Sequence, residues 1–345
     1  ESASIDFVYS YALFQHIPSR DVVWQYMREI HRVLKPMGIA RLQFNGLPRT
    51  AEAEAAYTTW AGSRFTPTEI LEFAAANDLQ VYAMEGADTQ YMWSTWRQRK
   101  PGWHDVNPAP ARIRRVTNSN GSEPVAPCRG RFAAISVWVE GLTEAACLNH
   151  LGVSIGGKLG RITYIGPPDS AGLQQIAALL PEDAATGLAA VVLTWKGRAI
   201  SEAATLRVIP PAPLVPRVLS VTDGVNLVAD HRIETGSVKL VMEDIENPEG
   251  IRAELDGVPV LDIEYFCTDP RPKRFEVNGR IPDSVPPGGH YLEVSVGRRR
   301  LAPIPVAISA KWHRPTNDRG YRSASRSSNR VRSPGNKFPT KPKSY

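Results

Sequence analysis

The pattern of apolar and polar positions changes character once, near residue 100. Residues 5–9 are a short apolar run of β-branched and aromatic side chains, which predicts a strand buried on both faces. Between about residues 20 and 35, Val22, Val23, Tyr26, Ile30, Val33 and Leu34 recur at helical spacing, with Gln25, Arg28, Glu29 and Arg32 on the opposite side. Ser19 is placed to cap this helix, Asp21 suits its dipole, and Pro36 and Gly38 stop it. A second apolar run, residues 39–44, follows. A helix between two such strands is a crossover unit, so a parallel, doubly wound sheet is expected. Thr66, Pro67 and Glu69 then make a capping box with proline at the first helical position, and this helix ends near Asn77. Residues 79–87 and 89–99 read as two strands joined by a tight turn, an antiparallel pair at the sheet edge.

Beyond residue 100, strand-like runs recur roughly every ten residues, separated by Gly, Pro, Asp and Asn, which argues for β-sandwiches. Gly156-Gly157, Lys196-Gly197 and Asp256-Gly257 are hairpin turns in this pattern, the glycines supplying positive φ. The proline-rich residues 209–216 read as a stiff linker that divides the β region in two. From about Lys311 the chain is Arg, Ser, Pro, Asn and Gly with few apolar residues, so disorder is expected there.

Composition changes this picture in three places. The net charge of +6 is misleading: residues 311–345 carry ten Lys/Arg against Asp318, a net of +9, and subtracting that leaves −3 for the rest. The basic character therefore belongs to a tail. Charge alone would let that tail touch nucleic acid, but its low aromatic content makes a solubilising role the simpler one, and a nucleic-acid partner is not expected. The three cysteines, Cys128, Cys147 and Cys267, have no metal-ligand spacing and an odd number, so they read as small buried hydrophobes and no metal site is assigned. No run reaches the length of a membrane span, and no signal peptide is visible. A cytoplasmic location is expected, with an extracytoplasmic one left open because the chain opens on Glu1, not Met.

The first hundred residues resemble the second half of class I S-adenosylmethionine-dependent methyltransferases. Asp6, Phe7 and Val8 match that family's strand, His16 and Ile17 its following loop, and Arg32, Val33, Leu34, Lys35, Pro36 and Gly38 its helix end. Met37 departs from the pattern, standing where the family has Gly. The resemblance implies a bound S-adenosylmethionine. It also implies that the Gly-rich turn and the ribose-holding acid belong to a part preceding Glu1, so that the chain is a truncated domain. Of the site it implies, Ser10, Tyr11, Ala12 and Phe14 would contact the cofactor after one strand, and Asn45 would meet the acceptor after the next. His16 is the candidate for proton handling, against the plainer reading of a loop histidine that packs or caps the next helix.

Residues 153–209 resemble a bacterial Ig-like domain family of unknown biochemical role, through Val153, Gly156, Gly157, Tyr164, Gly166, Gly172, Leu173, Gln175, Gly187, Ser201 and Ala204. The expected architecture is thus a truncated α/β Rossmann-like methyltransferase part (1–103), two all-β Ig-like sandwiches (104–210 and 211–310) and a disordered basic tail (311–345). The expected function is methyl transfer to a small-molecule or glycan-like acceptor, without activity in this chain alone. The alternative is a non-catalytic Ig-like binding or surface protein carrying a methyltransferase remnant.

Overall fold

The computed structural model describes residues 1–49, 62–99, 106–227 and 230–309. Strand β1 (Ile5–Ser10) pairs in parallel with β2 (Leu34–Phe44), and helix α1 (Arg20–Val33) connects them. Ser19 caps α1 as expected, its hydroxyl accepting from the Val22 N–H. Helix α2 (Pro67–Ala76) opens on the expected capping box: Thr66 Oγ1 accepts from Glu69 N at 3.3 Å, and a Glu69 carboxylate oxygen accepts from Thr66 N at 2.8 Å. Strands β3 (Leu79–Glu85) and β4 (Met92–Gln98) form the expected antiparallel pair, and β4 lies antiparallel beside β2.

The expected fold class does not form. Strands dominate the described chain, which has two α-helices, and both pack on one face of the sheet. Trp24 of α1 stacks on Phe73 of α2 at 5.0 Å, above a core of Leu42, Phe44 and Trp96. The β1–β2 pair is parallel, but β4 inserts antiparallel between β2 and β3, and the helix joining β2 to β3 packs beside α1, so no helix covers the opposite face among the described residues. The β3–β4 pair is not at an edge either. Ala83 pairs with Tyr164 of the strand Lys158–Ile165, and the sheet runs on into the β region as thirteen strands. The edge is β1. It is covered on one face only: Ser10 is buried, whereas Phe7 and Tyr9 are each 57% exposed.

Helix α1 ends at Val33, and Lys35 already lies in β2. Between them and the regular register, Met37 adopts φ +69°, the left-handed conformation that a side chain disfavours. The adjacent Gly38 has no such freedom to change: a Cβ there would lie 2.8 Å from the Lys35 carbonyl oxygen. Met37→Gly is therefore expected to stabilise the chain by up to ~1 kcal/mol, read as a higher urea midpoint, and Gly38→Ala to lower it.

In the β region, strands from two layers feed one core. Ile135, Val137, Val139 and Ile176 come from one layer, and Val153, Val191, Leu193 and Leu206 from the other. A further core gathers Leu240, Met242 and Val277 from a four-stranded sheet and Leu255, Leu292 and Val294 from a six-stranded one. The hairpin turns lie where the glycines placed them. Gly156 and Gly157 have φ +59° and +83°, and the Lys196-Gly197 and Asp256-Gly257 pairs are likewise positive at both residues. The tail expected to be disordered, residues 311–345, lies outside the described residues.

Candidate functional site

The carboxyl ends of β1 and β2 lie side by side, because parallel pairing sets Ser10 opposite Leu42. The residues singled out in the sequence are therefore neighbours, but they do different things. Ser10 is buried, and its Oγ has no hydrogen-bond partner among the described residues. Tyr11 is 59% exposed. Ala12 takes φ +54°. Phe14 belongs to the core, its ring 5.4 Å from that of Phe44. Asn45 is buried, where its Oδ1 accepts from Leu47 N and its carbonyl from Phe65 N.

Two buried glutamines that the sequence reading passed over connect these residues. The Ala12 N–H donates to Gln43 Oε1 at 2.7 Å, and Gln43 Nε2 donates to Gln15 Oε1 at 2.7 Å. Gln15 Nε2 in turn faces His16 Nε2 at 3.1 Å. Each contact orients the next amide, so the Gln15 NH2 is the donor and His16 Nε2 the acceptor. The signal available in the sequence was Gln43 itself, a polar residue inside the apolar run 39–44. A buried amide there requires partners.

The loop is closed from above by residues 62–65. Ser63 N donates to the Ile17 carbonyl at 2.9 Å, and Ser63 Oγ to that of Pro18 at 2.9 Å. Gly62 approaches so closely that a Cβ would lie 1.8 Å from the Gln15 carbonyl oxygen. Arg20 fixes the other side, its guanidinium 2.7 Å from Glu69 and stacked on Phe65 at 4.5 Å. Burial would raise the Glu69 carboxyl. The Thr66 N–H and the charges of Arg20 and Arg49 outweigh it, and the net direction is down.

Elsewhere the described residues offer less chemistry. Cys147 Sγ is 3.5 Å from His150 Nδ1, but burial pushes the thiol up, away from the reactive thiolate. His290 has both ring nitrogens engaged, Nδ1 with Asp256 at 2.7 Å and Nε2 with the Pro286 carbonyl at 2.8 Å. Among the described residues no group of three or more His, Cys, Asp or Glu could hold a metal ion, and no helix is long and apolar enough to cross a membrane.

The strand, loop and helix that build this site are the part of the chain with a family match. Residues 1–42 match the model of a methyltransferase domain. The matched stretch ends one residue before Gln43. No curated protein matches the chain. Among solved structures, similarity extends to the mixed-linkage glucan utilization locus protein SGBP-B of Bacteroides ovatus in complex with a mixed-linkage heptasaccharide, at 17% identity and TM-score 0.23, over 57% of this chain and 45% of that one. The chain thus spans less than half of that protein. Domains 5–6 of the S-layer protein SbsC are similar at 11% identity and TM-score 0.21, over 59% of this chain and 94% of that one. The titin Ig tandem A164–A165 is similar at 10% identity and TM-score 0.20, over 59% and 98%. Likenesses this low carry no argument about what this chain does.

Proposed function

We propose that residues 1–49 form part of a methyl-transfer site, with S-adenosylmethionine as donor and a small molecule or glycan-like compound as acceptor. The observation that carries the reading is the methyltransferase match over residues 1–42, which ends at the paired carboxyl ends of β1 and β2. The residues there suit a polar ligand: Ser10 Oγ is a buried hydroxyl without a partner among the described residues, and such a group is costly unless something bonds it. Ser10 and Ala12 would hold the donor along one side, Phe14 acts from the core by fixing the loop, and Tyr11, exposed and stacked on Trp93, is left to the acceptor. When bound, the donor supplies a methyl group on a sulfonium, which passes to the acceptor as the carbon–sulfur bond breaks and leaves its electron pair on sulfur. Asn45 would meet the acceptor only by rearranging, since its amide oxygen is already used. His16 is the residue able to handle a proton. Its Nε2 accepts from Gln15, so taking a proton there requires the Gln15 amide to let go.

One wall is not a complete site. Titration calorimetry of residues 1–345 with S-adenosylmethionine is expected to show no measurable heat of binding. The same chain fused behind a strand and Gly-rich turn of the family's first half is expected to bind in the micromolar range. In that fused form His16→Ala should lower turnover while leaving donor affinity unchanged. Micromolar binding by residues 1–345 alone would overturn the one-wall reading, and no binding by the fused form would overturn methyl transfer itself.

A further inference from the structure

The face of the β1–β2–β4 sheet opposite the helices carries a row of aromatic rings, of which Tyr9 and Tyr11 are exposed and Trp93 is half-buried. Tyr9 and Tyr11 alternate outward along β1 and its extension, and Trp93 stands on β4. The Tyr11 and Trp93 rings are parallel, with an interplanar angle of 0° and centroids 5.7 Å apart. Tyr9 lies 5.7 Å from the same Trp93 ring, at 27°. Arg41 fixes the platform by packing over the Trp93 ring: its guanidinium is 5.0 Å from the ring centroid, donates to Thr95 at 2.8 Å and pairs with Glu85 at 2.7 Å. Rings held in one orientation, with solvent on their outer side, form a surface ready to stack on a flat apolar partner.

The platform opens onto a groove. A cavity of about 480 Å³ begins at Trp93 and Tyr91 and runs past Glu85 to Asp269, Arg274 and Glu276. A second, of about 580 Å³, shares Glu85, Asp269 and Arg274 with it and continues to Arg131, Arg217 and Arg271. Together the two walls present four arginines and four carboxylates. Ion pairing holds several of these in fixed planes. Glu243, 3% exposed, lies between Arg131, Arg217 and Arg274. Arg271 is anchored by donating to the carbonyls of Ala133 and Leu180 at 3.0 and 3.4 Å. Beside it, burial raises the Asp269 carboxyl above its ordinary value, despite the Arg271 N–H that it accepts.

We infer that this groove is an oligosaccharide-binding site, with Tyr11 and Trp93 as its stacking platform. A pyranose ring offers an apolar C–H face to an aromatic ring and a rim of neighbouring hydroxyls, each both donor and acceptor. Guanidinium groups of the groove donate to that rim, and the accessible carboxylate Glu85 beside the platform accepts from it. Aromatic stacking would also suit the bases of a single-stranded nucleic acid, but such a groove is positively charged to follow the phosphates. Here the carboxylates equal the arginines, and Glu85 lies directly beside the platform. A neutral polyol chain fits this balance and a polyanion does not. Such a ligand is the glycan-like acceptor of the proposed function, and the assignment rests on that reading in this respect alone.

Binding is read without any methyl donor, so its failure is separate from failure of the donor titration. The full chain is run in native gels containing hydroxyethyl cellulose, xylan, soluble starch or single-stranded DNA. Retardation by at least one of the neutral polysaccharides is expected, and none by DNA. Trp93→Ala and Tyr11→Ala are each expected to weaken that retardation by about fivefold, as loss of one stacked ring would. Tyr11 is largely exposed, so its variant keeps the test valid if Trp93→Ala unfolds. No retardation by any of the three polysaccharides, retardation unchanged in Tyr11→Ala, or retardation by DNA alone would overturn the inference.

Discussion

Asp223→Ala is expected to destabilise the chain by about 2–4 kcal/mol, because it removes at once several hydrogen bonds that one buried carboxylate accepts. The side chain is fully buried at the end of the strand Arg217–Asp223. One oxygen accepts from Val225 N at 2.8 Å and Asn226 N at 2.9 Å, the other from Glu234 N and Thr235 N, both at 2.8 Å. The Thr235 hydroxyl adds a further bond at 2.9 Å. A single buried carboxylate thus ties together the two ends of a loop. Burial by itself would raise this carboxyl, but the N–H groups of Asn226, Thr235, Val225 and Glu234 outweigh it and pull it down to about 2.

That shift gives the prediction a pH signature. The folded value lies below the unfolded value of about 3.9, so the stabilisation is full above pH ~4–5 and is lost as pH falls through about 2. It amounts to roughly 2–3 kcal/mol. Urea unfolding at pH 7 should show the large gap between wild type and Asp223→Ala. Repeated between pH 5 and 2, it should show the gap shrinking as the wild type loses what the variant never had. A gap that stayed constant with pH would show that the carboxylate charge is not what holds the loop.

The second large effect is expected at the candidate site. Gly62→Ala places a Cβ 1.8 Å from the Gln15 carbonyl oxygen, 2.5 Å from its carbon and 3.2 Å from His16 N, at φ +56°. All three atoms are backbone, and none can swing aside. Gly62 cannot retreat either, since Ser63 is bonded to Ile17 and Pro18. A loss of about 3 kcal/mol or more is expected, together with displacement of the Gln15–His16 contact. Gly157→Ala is the control. Its φ is also positive, at +83°, but nothing lies within 4 Å of the added atom, so only the conformational cost of about 1 kcal/mol should appear. Equal denaturation midpoints for the two variants would mean that the close approach at Gly62 relaxes freely.

The local signals in the sequence were physically complete, and the elements they marked are present. Ser19 and the Thr66–Glu69 box cap their helices through contacts within four residues, so no distant partner was needed to read them. The glycine pairs of the hairpins need only their own φ. The candidate site was legible in part for the same reason: β1, its loop and β2 are consecutive in the chain. Gln43 and Gln15 escaped notice because their pairing spans 28 residues and depends on parallel register. Gly62 escaped because its role is defined by the backbone of Gln15.

What the sequence alone determined about this protein is therefore its turns, caps and strand positions, and the match of its first 42 residues to a methyltransferase domain. Those are set by short-range sterics and hydrogen bonds that each segment carries with it. The layer arrangement was decided only by tertiary pairing. The apolar run 5–9 reads the same whether one face or both are buried, and here the second face stays open because both helices pack on the other side. Pairing of Ala83 with Tyr164 joined the expected α/β part to the β region. Register across β1, β2 and β4 set Tyr11 beside Trp93, two rings 82 residues apart whose parallel stacking no linear pattern encodes.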